Sequence, residues 1–202
     1  MMYSFRIEQA IRAASVLHTD MTTTGRVSFP YTAHLFSVAC IIADYTKDED
    51  AIIAGLLHDT LAYTDYTQDE LTEDFGPTVS AIVAELTPPK DDTTAASRHN
   101  WKNRHARYTT QLKNASDPAL IVVAADTIHR LRSIIESYYD DSARLQDTTD
   151  NTAEEHLATC QSIANILNRR SKNDIVHEFN HVFDEYKKFL YEAQHKNTTE
   201  TA

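Results

Sequence analysis

Ala119-Leu120-Ile121-Val122-Val123-Ala124-Ala125-Asp126-Thr127-Ile128-His129-Arg130-Leu131-Arg132 is the most apolar stretch of the chain, and it carries a carboxylate in its middle. Ile121, Ala124, Ala125, Ile128, Leu131 and Ile135 recur at steps of three and four, so the spacing predicts one long, mostly buried helix over 119–135. The same period extends outward in both directions. Toward the N-terminus it predicts helices over 4–18, 31–45, 48–63, from Asp69–Glu70 to Gly76, and from Pro77 to Thr87. A polar helix is expected over 93–112, with Trp101, Arg104, Tyr108 and Leu112 on one face. Toward the C-terminus two amphipathic helices are expected, over 153–169 and 174–193.

Between these segments, 19–25 and the acidic, Thr-rich 140–152 read as loops. The chain holds three glycines in 202 residues, where ordinary usage would supply about 14. Glycine-rich phosphate loops and hairpin-rich β architectures are therefore poorly supplied. No repeat or composition shift marks a second domain, so the expectation is one all-α domain over 1–193, with 194–202 frayed.

The net charge of −11 argues against duplex nucleic acid or an anionic membrane surface as partner, since both need clustered cations. That total averages two opposite segments: 44–74 holds ten acids and one Lys, whereas Arg98–Lys113 holds five basic residues, two histidines and no acid. Cys40 and Cys160 are too few for a disulfide framework and read as buried small hydrophobes in a reducing compartment. Without a basic flank and apolar run at the start, or about 18 consecutive apolar residues anywhere, a soluble cytoplasmic protein is expected.

Ten histidines and thirty acids produce many chance pairs, so the informative ones are those on core-facing surfaces. His58–Asp59 directly follows the apolar run Ile52–Leu57, Asp126 interrupts Val122–Ile128, and His34 opens an apolar helix face. A charged Asp in such a setting is costly unless it is paired or holds a metal. Two arrangements satisfy these residues. His34, His58, Asp59 and Asp126 can converge on one divalent ion as a mixed N/O set suited to Mn²⁺, Fe²⁺ or Zn²⁺. Alternatively His58 makes a core contact while Asp59 and Asp126 pair with buried arginines. His177 and His181, spaced i, i+4, read as helix surface rather than a second metal site.

His34, His58–Asp59 and Asp126 in this order resemble the H…HD…D signature of the HD-domain metal-dependent phosphohydrolases. Further matches follow in the same order: Pro30-Tyr31-Thr32-Ala33-His34, Ala54-Gly55-Leu56-Leu57-His58-Asp59-Thr60, Phe75-Gly76-Pro77-Thr78-Val79, Trp101…Arg104…Tyr108 and Ala125-Asp126-Thr127-Ile128-His129-Arg130. Together they resemble the alarmone (guanosine polyphosphate) pyrophosphohydrolases, both the hydrolase half of RelA/SpoT enzymes and the stand-alone small alarmone hydrolases. The likeness covers roughly residues 5–135, with the last two helices matching in layout only.

The resemblance implies a helical bundle of about eight to nine helices holding one divalent ion, usually Mn²⁺, on His34, His58, Asp59 and Asp126. It implies a phosphorylated small molecule, a nucleotide, as partner, with Arg104, Lys102, Arg107, Tyr108, Arg130 and Arg26 as candidate substrate contacts. The departures are specific. Where the family carries an acidic pair soon after the HD motif, this chain reads Thr60-Leu61-Ala62-Tyr63-Thr64-Asp65, leaving Asp65 as the candidate catalytic acid one turn further on. Thr127 stands where the family prefers Lys, Arg130 where it prefers Asn, and Thr22–Thr24 where a basic pair is common. Three readings follow: a metal-dependent phosphohydrolase of alarmone type, a non-catalytic nucleotide-binding or regulatory module, and a nucleoside monophosphate phosphatase on the same fold.

Overall fold

The computed structural model describes residues 3–23, 28–88, 101–140 and 153–199, with the first residue of α7 and the last few of α8 and α10 described as backbone only. Among the described residues there are ten helices: α1 (Phe5–Leu17), α2 (Thr32–Tyr45), α3 (Glu49–Leu57), α4 (Thr60–Tyr63), α5 (Gln68–Phe75), α6 (Pro77–Leu86), α7 (Trp101–Asn114), α8 (Asp117–Asp140), α9 (Ala153–Arg170) and α10 (Ile175–Thr199). Beyond the helices there is one isolated bridge, between Thr22 and Pro30. The fold is therefore all-α. The predicted helical part at 93–100, the loop residues 141–152, Arg26 and residues 200–202 lie outside the described residues, while α10 continues to Thr199, past its predicted end at 193.

The packing is centred on α3, which touches α1, α2, α6 and α8. Ala51 through Leu57 are all buried, so α3 is apolar all round rather than along one stripe. Gly55 permits the close approach of α2, because a Cβ there would stand 2.3 Å from Ile42 Cδ1. The apolar run of α8 is equally enclosed from Ala119 to Ala125 and packs on α2, α3, α6, α9 and α10.

The predicted helix over 48–63 is interrupted at the functional residues. His58 Nδ1 lies 2.8 Å from the Gly55 carbonyl, the group that would accept the Asp59 amide in a continuous helix. Asp59 instead takes φ −94° and ψ −4°, in the sparsely populated bridge region. The chain then resumes as the single turn α4, the amides of Ala62 and Tyr63 returning to the Asp59 carbonyl. A second difference concerns the cysteines: Cys160 is buried but Cys40 is exposed. The buried face of α2 runs through Leu35, Val38, Ala39, Ile42 and Ala43, and position 40 falls off it.

Candidate metal centre

Three elements carry the cluster: α2 supplies His34, the α3–α4 junction supplies His58 and Asp59, and α8 supplies Asp126. His34 Nε2 stands 3.2 Å from Asp126 Oδ1 and 3.9 Å from Asp59 Oδ2. His58 Nε2 stands 3.3 Å from Asp59 Oδ2 and 3.6 Å from Asp126 Oδ1. Atoms that share an ion at about 2.1 Å are about 3.0 Å apart at right angles and about 3.4 Å apart at tetrahedral angles. Two of the observed edges fall between those values and two are longer, and the chemistry is a mixed N/O set of the kind that takes Mn²⁺, Fe²⁺ or Zn²⁺.

The backs of the two imidazoles are already engaged. His58 Nδ1 donates to the Gly55 carbonyl when it carries the proton, which turns Nε2 toward the carboxylates; an ion bound there would take the place of the Nε2 proton. His34 Nδ1 lies 2.9 Å from His129 Nδ1, on the face of α8 one turn past Asp126. Both His34 Nε2 and His58 Nε2 are buried and make no hydrogen bond. Such groups are costly unless a partner completes them.

The carboxylates, by contrast, are paired. Arg130 places Nε 2.7 Å from Asp126 Oδ1 and Nη2 3.1 Å from Asp59 Oδ2, and the Tyr31 hydroxyl donates to Asp59 Oδ2. The arginine pairing considered from sequence is thus realised alongside the converging cluster. It does not complete the site, because a guanidinium has only donors directed at the oxygens and offers nothing to the imidazole nitrogens, whose own carboxylate contacts are not hydrogen bonds.

Electrostatics follow from this geometry. Burial opposes the charged form of His58, but Asp59 and Asp126 outweigh it and push its pKa up to about 10. Burial works against ionised Asp59 and Asp126 as well, yet the facing imidazoles and Arg130 hold both below the usual carboxylate range. Burial lowers His34, with Asp126 opposing, and lowers His129 to about 4. His129 is therefore neutral near pH 7 and able to accept from His34.

Around this centre stands an aromatic wall. Tyr31 packs against His18, His34 and Tyr63, at ring-centroid distances of 5.7, 5.3 and 6.5 Å. Tyr108 of α7 is half-buried, and its phenol is pushed up by burial, with the charges of Asp126 and Asp59 adding to the effect. One helical turn earlier on the same face of α7 is Arg104, which is exposed, as are Lys102 and Arg107. Asp65 is not brought to the cluster. It is exposed and lines a cleft of about 520 Å³ with Thr64, Tyr66, Gln68 and Thr87, and among the described residues no hydrogen bond or ion pair joins it to the histidines.

His177-Glu178-Phe179-Asn180-His181 has the H-E-x-x-H spacing of zinc-binding helices. Both histidines are nevertheless exposed on α10, Glu178 pairs with Arg132, and His181 lies 3.4 Å from Glu185. Sequence reasoning missed three supports: His18, Tyr31 as the partner of Asp59, and His129 as the partner of His34. The last had a legible signal, since three residues after Asp126 is the same helix face.

Fold and site together define an all-helical domain in which His34, His58 and Asp126 lie close enough together that they could hold a metal ion, with Asp59 beside them. The chain belongs to the HD domain family, whose model matches residues 10–167. A GTP pyrophosphokinase of Myxococcus xanthus is 33% identical over 124 residues, which make up 60% of this chain and 16% of that protein. A guanosine-3′,5′-bis(diphosphate) 3′-pyrophosphohydrolase of Haemophilus influenzae is 30% identical over 105 residues, 52% of this chain and 15% of that protein. The chain thus spans about a sixth of the length of these relatives. Among solved structures, a metazoan SpoT orthologue described as hydrolysing ppGpp superposes with a TM-score of 0.73 at 21% identity, over 92% of this chain and 97% of that one. A Listeria monocytogenes protein superposes with a TM-score of 0.62 at 24% identity, over 77% and 95% of the two chains. Both share the fold. No helix among the described residues is long and apolar enough to cross a membrane.

Proposed function

We propose that this chain is a metal-dependent phosphohydrolase acting on a nucleotide, with guanosine polyphosphate pyrophosphohydrolysis as its reaction class. The observation that carries the reading is the convergence of two buried imidazole nitrogens, His34 Nε2 and His58 Nε2, on Asp59 and Asp126 at ion-pair distance but without a hydrogen bond. These four residues would hold one divalent ion, with Mn²⁺ the expected metal. When bound, such an ion polarises a phosphate oxygen and lowers the pKa of a water. The relatives named for guanosine polyphosphate chemistry support the substrate class.

The chain's own residues orient and exclude. Gly55 and His129 fix the imidazole orientations, Tyr31 holds Asp59, and α7 presents Arg104, Lys102 and Arg107 as cations for phosphate oxygens beside Tyr108. A second reading has one specific observation in its favour: Ala62 and Tyr63 bring no carboxylate, and Asp65 opens on the neighbouring cleft. A chain without a general base loses about 10²–10⁴ in rate, which suits a nucleotide-binding module.

The test is a panel of phosphorylated nucleotides with Mn²⁺, read as released pyrophosphate against orthophosphate. Turnover of guanosine tetraphosphate to pyrophosphate, abolished by His58→Ala, is the expected outcome. Tight binding without turnover would favour the binding module, and orthophosphate from nucleoside monophosphates would favour a phosphatase.

A further inference from the structure

The two carboxylate oxygens nearest the imidazoles are the same two that Arg130 occupies. Asp126 Oδ1 is 3.2 Å from His34 Nε2 and 2.7 Å from Arg130 Nε, and Asp59 Oδ2 is 3.3 Å from His58 Nε2 and 3.1 Å from Arg130 Nη2. The Tyr31 hydroxyl, 3.3 Å from Nη2, holds the guanidinium from the other side. Arg130 stands one turn after Asp126 on α8, so the helix itself delivers the fork to this place. A guanidinium does not deprotonate in proteins, so the charge is permanent.

We infer that Arg130 is a built-in counter-cation that competes with the divalent ion for Asp59 and Asp126 and sets the affinity of the centre low. The inference rests on reading the cluster as a divalent-ion site, and its consequences can be separated from that reading. An incoming ion meets one of two costs. With Arg130 in place, each oxygen divides its lone pairs between ion and guanidinium, and a fixed positive charge stands beside the ion. With Arg130 withdrawn, two charge-assisted hydrogen bonds are lost. Either way ion affinity falls.

Arg130 also has an exit. Its side chain is 39% exposed, and among the described residues Nη1 makes no hydrogen bond, so a phosphate oxygen arriving from solvent can take the outer edge of the fork. An ion-free centre is thereby kept neutralised, and withdrawal of the guanidinium by a phosphorylated ligand favours ion loading. By linkage, the loaded centre favours the ligand.

The experiment is titration calorimetry of Mn²⁺ into the ion-stripped chain, without phosphate, for wild type, Arg130→Gln and Arg130→Lys, with circular dichroism to confirm that each is folded. Arg130→Gln is expected to bind Mn²⁺ at least about tenfold more tightly than wild type. Arg130→Lys, which keeps the charge, should stay within a few-fold of wild type. Equal or weaker binding by Arg130→Gln overturns the inference while leaving the ion site standing. Absence of Mn²⁺ binding in all three overturns the ion site and the inference with it. Should Arg130→Gln fail to fold, Arg130→Met supplies the same neutral comparison.

Discussion

His34 needs a partner on the ring nitrogen facing away from Asp126, and His129 Nδ1 at 2.9 Å is that partner. An imidazole held at its back presents a defined lone pair at its front, and partners of this kind are worth about 10–100-fold in metal affinity. His129→Phe should therefore weaken Mn²⁺ binding by about tenfold or more, whereas His129→Asn, which keeps an acceptor near the same place, should recover part of the loss. Equal affinity in both variants would show that His34 is oriented by packing alone. At this scale the sequence was informative where cost is local. Asp126 inside an apolar run and Asp59 after Leu57 announce themselves, because a charge there demands a partner. Tyr31 did not, because its partner Asp59 lies 28 residues away and only the folded chain brings them together. Arg130 was legible as a cation near the site but not as the occupant of both carboxylates, since i, i+4 spacing accounts for Asp126 and says nothing of Asp59.

At the scale of elements, periodicity located the helices well and their interruptions poorly. Ile52 through Leu57 runs on into Leu61 with no proline near the break and with Gly55 inside the apolar run, so one helix over 48–63 was the natural reading. The break comes from a side chain, His58, taking a backbone carbonyl, which apolar spacing does not encode. The α5–α6 corner is the opposite case, because Gly76-Pro77 marks it openly. Gly76 has φ 89° and ψ 162°, a region essentially reserved for glycine. A Cβ there would meet nothing within 4 Å. The cost of Gly76→Ala is therefore conformational, and a destabilisation of about 1–3 kcal/mol is expected, read as a lower urea midpoint with an unchanged slope. An unchanged midpoint would show that the corner relaxes into an ordinary turn. α5 and α6 carry no member of the His–Asp cluster, so Mn²⁺ affinity should be unaffected by the same substitution.

Across the whole molecule, charge and topology point to one end of the bundle. The acidic 44–74 contains the α3–α4 junction, and the basic 98–113 contains most of α7, so the net charge of −11 conceals a cationic strip on the helix that carries Tyr108. The cluster draws one group from α2, two from the α3–α4 junction and one from α8, and Asp126 on α8 comes so far along the chain from His58 and Asp59 that the unfolded chain would not hold them together. An ion bound to all four residues has no comparable site in the unfolded state, so binding adds directly to folding stability. At an ion concentration of 100 times Kd the gain is about 2.7 kcal/mol. For a chain of this size each kcal/mol is worth about 2–4 °C, and Mn²⁺ should therefore raise Tm by about 5–10 °C. A chelator should reverse the shift, and Asp126→Asn should abolish it, because the oxygen nearest His34 Nε2, also within reach of His58 Nε2, then belongs to a neutral amide. A Tm that rises equally in wild type and Asp126→Asn would mean the ion acts on the acidic surface, where the nine carboxylates of 44–74 other than Asp59 offer weak and interchangeable contacts. Comparing the two chains across a Mn²⁺ series separates these cases: a specific centre saturates near its Kd, whereas surface binding continues to climb with ion concentration and fades as monovalent salt is added.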